Sequence, residues 1–256
     1  MPNSIYFLRC LRGLLALGLL AGHGVALSER VTVAVASNFA APMRQLATAF
    51  ERETGHRVVM ALGSTGSFYA QIRHGAPFQV LLAADAVTPQ RLEREMLAVP
   101  ETRITYAIGR IALWSAAPGR VDAKGQVLQT NPPQKLALAN PQVAPYGAAA
   151  MQVMERLGVL PALRGTLVQG ESVAQAYQFV ASGNASMGFV ALAQIQTEGR
   201  IDKGSAWVVP AHLHDPIRQD AVLLIPGRNQ AGAQALMAFL RSAPAQTILR
   251  AHGYNV

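Results

Sequence analysis

The sequence predicts an α/β fold built as two lobes. Short apolar runs alternate with segments whose apolar residues recur at helical spacing, and repeated strand–helix units of this kind predict largely parallel sheets. One apolar stretch, residues 105–115, is longer than a typical strand and is interpreted as a segment that crosses between lobes. Stretches marked by Pro and Gly, at 118–133 and 210–216, interrupt the pattern, and we expect the chain to return near 207–220. A single sheet with long loops is the alternative arrangement.

The individual elements follow from periodicity. Helical spacing begins at Pro42, where Met43, Leu46 and Phe50 fall on one face, and Gly55 ends the helix. A second helix ends at residue 72, and further helices are predicted over residues 148–157, 173–180, 234–241 and 246–251. The predicted strands cover residues 31–35, 58–60, 80–84, 136–139, 187–192 and 221–225.

The first residues, 1–26, are typical of a secretory signal peptide. Arg9 and Arg12 supply its basic start, and residues 14–20 form an apolar run too short to span a bilayer comfortably. Small residues then stand at both ends of the last tripeptide, so we expect cleavage near Leu27 and export of the mature chain. A membrane anchor or a buried first helix is the alternative interpretation.

The cysteine count and the length limit how the exported chain can be stabilised. Cys10 is the only cysteine and lies in the leader, so an intrachain disulfide is impossible after cleavage. The remaining length is enough for one large or two small domains with a sizeable core. We expect a first lobe of residues 27–108 and 219–256, and a second lobe of residues 109–218.

The chain is basic, with 22 Lys and Arg against 14 Asp and Glu and a formal net charge of +8. A basic balance suits nucleic acid, a membrane surface or an anionic ligand. The arginines are scattered singly, and the sequence has neither a Lys/Arg run nor interleaved aromatic residues. This distribution argues against a nucleic-acid partner and is compatible with a solvated basic surface.

Four strand-to-helix turns place small or hydroxyl residues at the start of a helix. Such a start presents unpaired N–H groups and the positive end of the helix dipole, which suits an anion, and hydroxyls add donors. In open α/β sheets, ligands bind outside the carboxyl ends of strands, where these turns lie. Each turn alone is explained by ordinary helix capping. The turns are Ser37-Asn38, Ser64-Thr65-Gly66-Ser67, Pro145-Tyr146-Gly147 and Gly170-Glu171-Ser172-Val173.

These turns carry no lysine or arginine, and the nearest cation, Arg44, lies inside its helix. A dianion held there would be bound by neutral donors and dipoles, which suits a protein that must release its cargo. A phosphoryl-transfer enzyme would need a cation or a metal at the anion, and residues 63–66 lack the lysine of a P-loop.

A set of motifs spans the chain from about Val31 to Tyr254. They are Ala36-Ser37-Asn38-Phe39, Gly63-Ser64-Thr65-Gly66, Tyr69-Ala70-Gln71-Ile72, Gly75-Ala76-Pro77-Phe78, Ala83-Ala84-Asp85, Tyr106-Ala107-Ile108-Gly109, Leu113-Trp114-Ser115, Asn140-Pro141-Gln142-Val143-Ala144-Pro145-Tyr146-Gly147 and Gly188-Phe189-Val190-Ala191-Leu192. Each is weak alone, but together they are specific, and the chain resembles the periplasmic molybdate-binding proteins of the class II solute-binding fold.

The resemblance implies a two-lobed periplasmic-binding-protein fold whose ligand cleft lies between the lobes. It implies that the chain binds molybdate and tungstate in the periplasm and delivers them to the permease of an ABC-type importer in the inner membrane. We expect a monomer without a cofactor, apart from its oxyanion cargo. A binder of sulfate or another oxyanion is the alternative within this class.

By this resemblance, five residues fall where the family's oxyanion ligands lie: Ser37, Asn38, Thr65, Tyr146 and Val173. Val173 would act through its backbone N–H, and Thr65 keeps the hydroxyl of the more usual serine. One branch of the family has a binding tyrosine after the Gly-Phe/Ile-Val motif, where this chain has Ala191. The chain is therefore similar to the branch whose tyrosine comes from the second lobe's first ligand loop, and Ser64 is a further candidate.

A secreted α/β hydrolase is the alternative from a different class. A Gly-x-Ser-x-Gly elbow at a strand end is absent from the sequence. His212 and His214 could share a strand face, but zinc would need a third ligand, and a surface turn is preferred. Asp85 could be a catalytic carboxylate, although capping of the following helix is favoured. The sequence therefore predicts a protein that is not an enzyme and holds no free metal cation.

Overall fold

The computed structural model describes residues 28–255, so the predicted signal peptide and its cleavage site lie outside the described residues. Two five-stranded sheets, each packed against helices, form two lobes, which confirms the predicted two-lobed α/β fold. No helix within the described range is long and apolar enough to cross a membrane.

The elements alternate between strand and helix for most of the chain. The strands are β1 (Arg30–Ala36), β2 (Arg57–Gly63), β3 (Val80–Leu82), β4 (Ile104–Gly109), β5 (Ile111–Ser115), β6 (Leu136–Ala139), β7 (Leu167–Gly170), β8 (Met187–Ala191), β9 (Gln196–Thr197), β10 (Arg200–Ile201), β11 (Ser205–Val208) and β12 (Ile217–Leu223). The helices are α1 (Ala40–Thr54), α2 (Thr65–Arg73), α3 (Val87–Arg94), α4 (Val127–Thr130), α5 (Pro145–Arg156), α6 (Leu160–Leu163), α7 (Val173–Ala181), α8 (Ala231–Phe239) and α9 (Ala243–Ala251). Short 3₁₀ turns lie at Ser37–Phe39, Arg164–Thr166, Leu192–Gln194, Ala211–Leu213 and Ile225–Gly227.

Both sheets are mixed rather than largely parallel. In the first lobe the strand order is β2-β1-β3-β12-β4, and β12 runs antiparallel to both of its neighbours. In the second lobe the order is β11-β5-β8-β6-β7, and β5 runs antiparallel to β8 and β11. The parallel pairs are confined to β1–β3 and to β6–β8, which are joined by helices. Strands that follow a crossing between lobes enter their sheets in the opposite direction.

The predicted long strand over residues 105–115 is two strands in different sheets. β4 belongs to the first lobe and β5 to the second, and the exposed Arg110 separates them. The break is required because a single straight strand cannot keep its ladder hydrogen bonds in two sheets at once. The chain returns between β11 and β12. The residue-level lobe boundaries, 27–108 with 219–256 and 109–218, stay predictions.

Each lobe has its own buried core. The predicted face of α1 is fully buried at Met43, Leu46 and Phe50, and Gly55 ends the helix in the left-handed conformation with φ of 75°. In the second lobe, alternate residues of β5 pack into two different clusters, so this strand is covered on both faces. Burying each large apolar side chain contributes about 1.5–3 kcal/mol, which lets the fold form without disulfides.

Candidate functional site

A small cavity lies between the two lobes and is lined by both of them. All four of the turns predicted from the sequence reach it, because the carboxyl ends of β1, β2, β6 and β7 face the cleft. The lining residues are Ala36, Ser37, Asn38, Gly63, Ser64, Ala84, Ala144, Pro145, Tyr146 and Val173. Four of the five predicted ligand residues are therefore brought together. The fifth, Thr65, is not part of this lining but follows Ser64 and is hydrogen-bonded to Ala84, both of which are.

The first turn, at Ser37 and Asn38, follows β1 and runs directly into α1. Both residues are buried, and the start of a helical segment leaves their N–H groups without intrahelical acceptors. The Asn38 side chain is already committed, since its Nδ2 donates to Gln219 Oε1 at 2.9 Å and to the Tyr254 hydroxyl at 3.1 Å. An anion would therefore meet the backbone N–H of Asn38.

The second turn offers two hydroxyls, those of Ser64 and Thr65. The Thr65 hydroxyl oxygen accepts the N–H of Ala84 at 2.9 Å, which leaves its own hydrogen free to donate. Ser64 caps α2 by accepting the Ser67 N–H at 3.3 Å, and its Oγ lies 2.7 Å from the Ser67 Oγ. Thr65 is thus the freer donor of the two, although Ser64 lies in the lining itself.

The second lobe contributes Tyr146 from the start of α5. Pro145 begins this helix, and the Tyr146 side chain is only 3% exposed. Its hydroxyl oxygen accepts the amide N–H of Gln219 at 3.2 Å. Burial, together with the nearby Tyr254 and Tyr106, raises the pKa of Tyr146 well above its ordinary value. The phenol therefore keeps its proton and can act as a donor.

Val173 is the first residue of α7 and brings a backbone donor. Ser172 caps the helix by accepting the Gln175 N–H at 3.4 Å, so the N–H of Val173 projects from the helix start. The next N–H, that of Ala174, donates across the cleft to the Ser37 hydroxyl oxygen at 3.4 Å. The two lobes thus present donors to the same small volume.

The site is electrically neutral on the protein side. Within residues 28–255, the cavity lining includes neither lysine nor arginine. The buried carboxylate of Asp220 is paired with the partly exposed Arg103 at 2.7 Å. An anion in the cavity would be held by hydroxyls, backbone N–H groups and helix dipoles.

The lobes are in direct contact beside the cavity. The N–H of Gly66 in α2 donates to the Val143 carbonyl of the second lobe at 2.9 Å. An outer groove of about 510 Å³ adjoins this contact and is also lined by both lobes, including Thr88 from the first and Gln152 from the second. The structure is therefore a closed arrangement of the two lobes around the cavity.

The residues considered for catalysis and metal binding have structural partners. Asp85 accepts the Thr88 N–H at 2.7 Å and the Thr88 hydroxyl at 3.1 Å, as expected of a residue that secures the start of α3. Burial raises the pKa of Asp85. His212 lies in a 3₁₀ turn, and the ring of His214 is bonded to the Asp215 carbonyl at 2.7 Å. Within the described part of the chain, no group of three or more His, Cys, Asp or Glu residues is placed to hold a metal ion.

Two α/β lobes that close over a donor-lined cavity define a solute-binding protein. In agreement, residues 31–255 match the bacterial extracellular solute-binding protein family, and the chain belongs to this family.

Among individual proteins, the chain is 51% identical to the molybdate-binding protein ModA of Azotobacter vinelandii, over 90% of this chain and 92% of that protein. It is 48% identical to the molybdate-binding protein ModA of Rhodobacter capsulatus, over 94% of this chain and 95% of that protein. The solved periplasmic molybdate-binding protein of Azotobacter vinelandii superposes with a TM-score of 0.85 at 44% identity, covering 88% of this chain and 99% of that one.

Sequence reasoning missed the polar residues behind the cavity. Gln219 and Tyr106 are buried there and bonded to each other at 3.1 Å, and Tyr254 joins them through Asn38. The available signal was the pair of polar residues 219–220 at the head of an apolar run, which is unusual inside a strand.

Proposed function

We propose that this protein binds molybdate in the periplasm and delivers it to the permease of an ABC-type importer. The observation that carries the proposal is the convergence of four helix starts on one buried cavity that holds no cationic side chain. The relatives that are about half identical over nine-tenths of the chain are molybdate-binding proteins, which supports the same ligand.

The proposed shell consists of donors alone. It comprises the hydroxyls of Ser37, Thr65 and Tyr146 and the backbone N–H groups at Asn38 and Val173. A fully deprotonated tetrahedral dianion can accept a hydrogen bond from every one of them. A protonated anion would place its own O–H against these donors, and an unpaired buried donor costs about 1–3 kcal/mol. Tungstate has the same shape and charge, so we propose that it binds as well.

Neutral donors also fit the delivery step. Binding energy comes from many short contacts made only when both lobes are closed, so opening of the lobes removes most of them together. A cation in the shell would hold the dianion in the open form too. We propose that the closed, loaded form docks on the permease and that the protein acts as a monomer without enzymatic activity.

A thermal-shift and calorimetry screen with molybdate, tungstate, sulfate and phosphate tests the proposal. A ligand at 100 times its dissociation constant stabilises the native state by about 2.7 kcal/mol. We expect molybdate and tungstate to raise the melting temperature and sulfate and phosphate to leave it nearly unchanged. Equal shifts with sulfate would identify a general oxyanion binder instead.

Export is tested separately. We propose that residues 1–26 are removed and that the mature protein begins near Leu27 in the periplasm. N-terminal sequencing of the periplasmic fraction checks this, and recovery of soluble periplasmic protein that retains Met1 would contradict it. Sedimentation of the same material, with and without molybdate, checks the monomer.

A further inference from the structure

A buried glutamine lies behind the cavity and connects residues from both lobes. Gln219, in β12, is fully buried. Its Oε1 accepts the Asn38 Nδ2 at 2.9 Å, and its Nε2 donates to the Tyr146 hydroxyl oxygen at 3.2 Å. The same Oε1 lies 3.1 Å from the Tyr106 hydroxyl, whose single hydrogen it shares with the Ala83 carbonyl at 2.9 Å. Tyr254 donates its one hydroxyl hydrogen to the Asn38 carbonyl at 3.2 Å, so its oxygen accepts the Asn38 Nδ2 and fixes the Asn38 amide. Reversing the Gln219 amide would then set its NH₂ against the NH₂ of Asn38, so the Gln219 NH₂ faces Tyr146.

The backbone around Gln219 is shaped to present this side chain. The β12–β4 register shifts between Gln219 and Asp220, and both consecutive residues are fully buried. In a regular strand they would point to opposite faces, and a bulge re-aims one of them. On β4, Gly109 leaves the room, because a Cβ there would collide with the Tyr146 hydroxyl and the Gln219 amide.

We propose that Gln219 is a positioning residue for anion binding, acting through the hydroxyl of Tyr146. An amide N–H can only donate, so it occupies the acceptor side of the phenol oxygen. The phenolic hydrogen must then point away from Gln219. Tyr146 lines the cavity, and the neighbouring Tyr254 hydroxyl is the acceptor within the protein that competes for this hydrogen. A bound oxyanion is the stronger acceptor of the two because it is charged. Gln219 thereby holds Tyr146 as a donor to the bound oxyanion. This inference rests on the proposed function, since it assigns the origin of one contact in the same shell.

A purely structural role for Gln219 would give a different thermodynamic result. If Gln219 only tied β12 to its neighbours, changing it would weaken binding by the same factor whether or not the Tyr146 hydroxyl is present. If it acts through that hydroxyl, most of its effect must vanish once the hydroxyl is removed.

The test is a double-mutant cycle of Gln219→Glu and Tyr146→Phe, with molybdate affinity measured by calorimetry. The carboxylate is nearly isosteric with the amide but accepts the phenolic hydrogen and turns it away from the cavity. We expect Gln219→Glu to raise the dissociation constant at least tenfold in the otherwise unchanged protein. In the Tyr146→Phe background, its effect should be at least threefold smaller. The added charge acts in both backgrounds and cancels from this comparison. Equal factors in the two backgrounds would overturn the proposal.

Two further variants keep the test decisive. If Gln219→Glu fails to fold, Gln219→Met completes the same cycle without a charge, and equal factors in both backgrounds again overturn the proposal. Gln79→Met is the matched control, because the Gln79 side-chain oxygen accepts the Thr32 N–H away from the cavity. The Gln79→Met protein should bind molybdate with the same affinity as the unchanged protein. If the unchanged protein binds sulfate and not molybdate, the proposed function fails, and the same cycle run with sulfate still decides the role of Gln219.

Discussion

Substituting Gly66 by alanine should weaken ligand binding without weakening the fold. Gly66 lies near the start of α2, and its N–H donates to the Val143 carbonyl across the cleft at 2.9 Å. A Cβ on residue 66 would lie 2.9 Å from both the Cα and the Cβ of Val143 and 3.0 Å from its carbonyl oxygen. Ordinary carbon contacts begin near 3.5 Å, so the lobes must separate here by roughly 0.5 Å or more.

The substitution is expected to lower the affinity for the ligand and to keep or raise the melting temperature of the unliganded protein. Separation removes a hydrogen bond with a net value of about 0.5–1.5 kcal/mol, which weakens the closed form by a factor of about 2 to 13. Because the ligand is bound by the closed form, its dissociation constant should rise by that factor. Within α2, however, alanine is favoured over glycine by up to about 1 kcal/mol, so the unliganded protein should melt at the same or a higher temperature.

Calorimetry with molybdate and thermal unfolding of the unliganded protein measure the two effects, and small-angle scattering reports lobe closure. Gly165→Ala is the matched control, because a Cβ at that position meets nothing within 4 Å. Its affinity should match that of the unchanged protein. Unchanged affinity and closure in the Gly66→Ala protein would refute the assignment of this contact to closure.

Four further changes have outcomes that follow from the site and its surroundings. Tyr146→Phe should raise the dissociation constant for molybdate by about one to two decades, as measured by calorimetry, because a hydrogen bond to a charged partner is worth about 1.5–3 kcal/mol. In competition calorimetry, tungstate should displace molybdate while sulfate does not, because hydrogen bonds stretched beyond about 3.2 Å across a shell sized for molybdate contribute little. Asp85→Asn should raise the free energy of urea unfolding at pH 7 and lose this advantage in acid. Burial raises the pKa of Asp85, so ionisation of the buried carboxyl lowers the free energy of unfolding increasingly as pH rises through that pKa. Asparagine does not ionise and can still accept the Thr88 N–H. Finally, the free energy of unfolding should fall above about pH 10 by up to about 1.4 kcal/mol per pH unit for each of Tyr106, Tyr146 and Tyr254. Burial raises the pKa of all three, so the unfolded chain loses protons that the native chain keeps, and denaturant titrations from pH 8 to 11 should show a smaller slope for Tyr146→Phe.

The helix starts could be predicted because their signals are local. A hydroxyl or small residue before an apolar periodic segment marks a cap wherever it occurs, and Ser64 and Ser172 do cap α2 and α7. Their convergence is not local. Ser37 meets the helix that begins at Val173 across 137 residues of chain, from Ser37 to Ala174, and periodicity holds no information on that pairing. The family resemblance supplied it.

The elements that sequence periodicity did not predict have weak or interrupted patterns of apolar residues. The break at Arg110 is invisible because apolar residues continue on both sides of it, and only pairing with different sheets separates β4 from β5. The short strand β7 lies at a sheet edge with three of its four residues partly exposed, so its sequence shows no clear alternation. The helix α3 buries only Pro89 and Leu92, which is too narrow a face for a periodicity argument.

The polar layer behind the cavity shows why a ligand list is only part of a binding site. Gln219 touches Asn38 across 181 residues and Tyr146 across 73, and both contacts depend on a bulge that a strand pattern does not reveal. Yet this layer decides what the shell can do, because a tyrosine hydroxyl can either donate or accept until a neighbouring group occupies one of the two roles. An all-donor shell distinguishes a bare dianion from a protonated one only if each hydroxyl is held to donation. Selection among oxyanions of equal charge is therefore expected to depend on residues that never touch the anion.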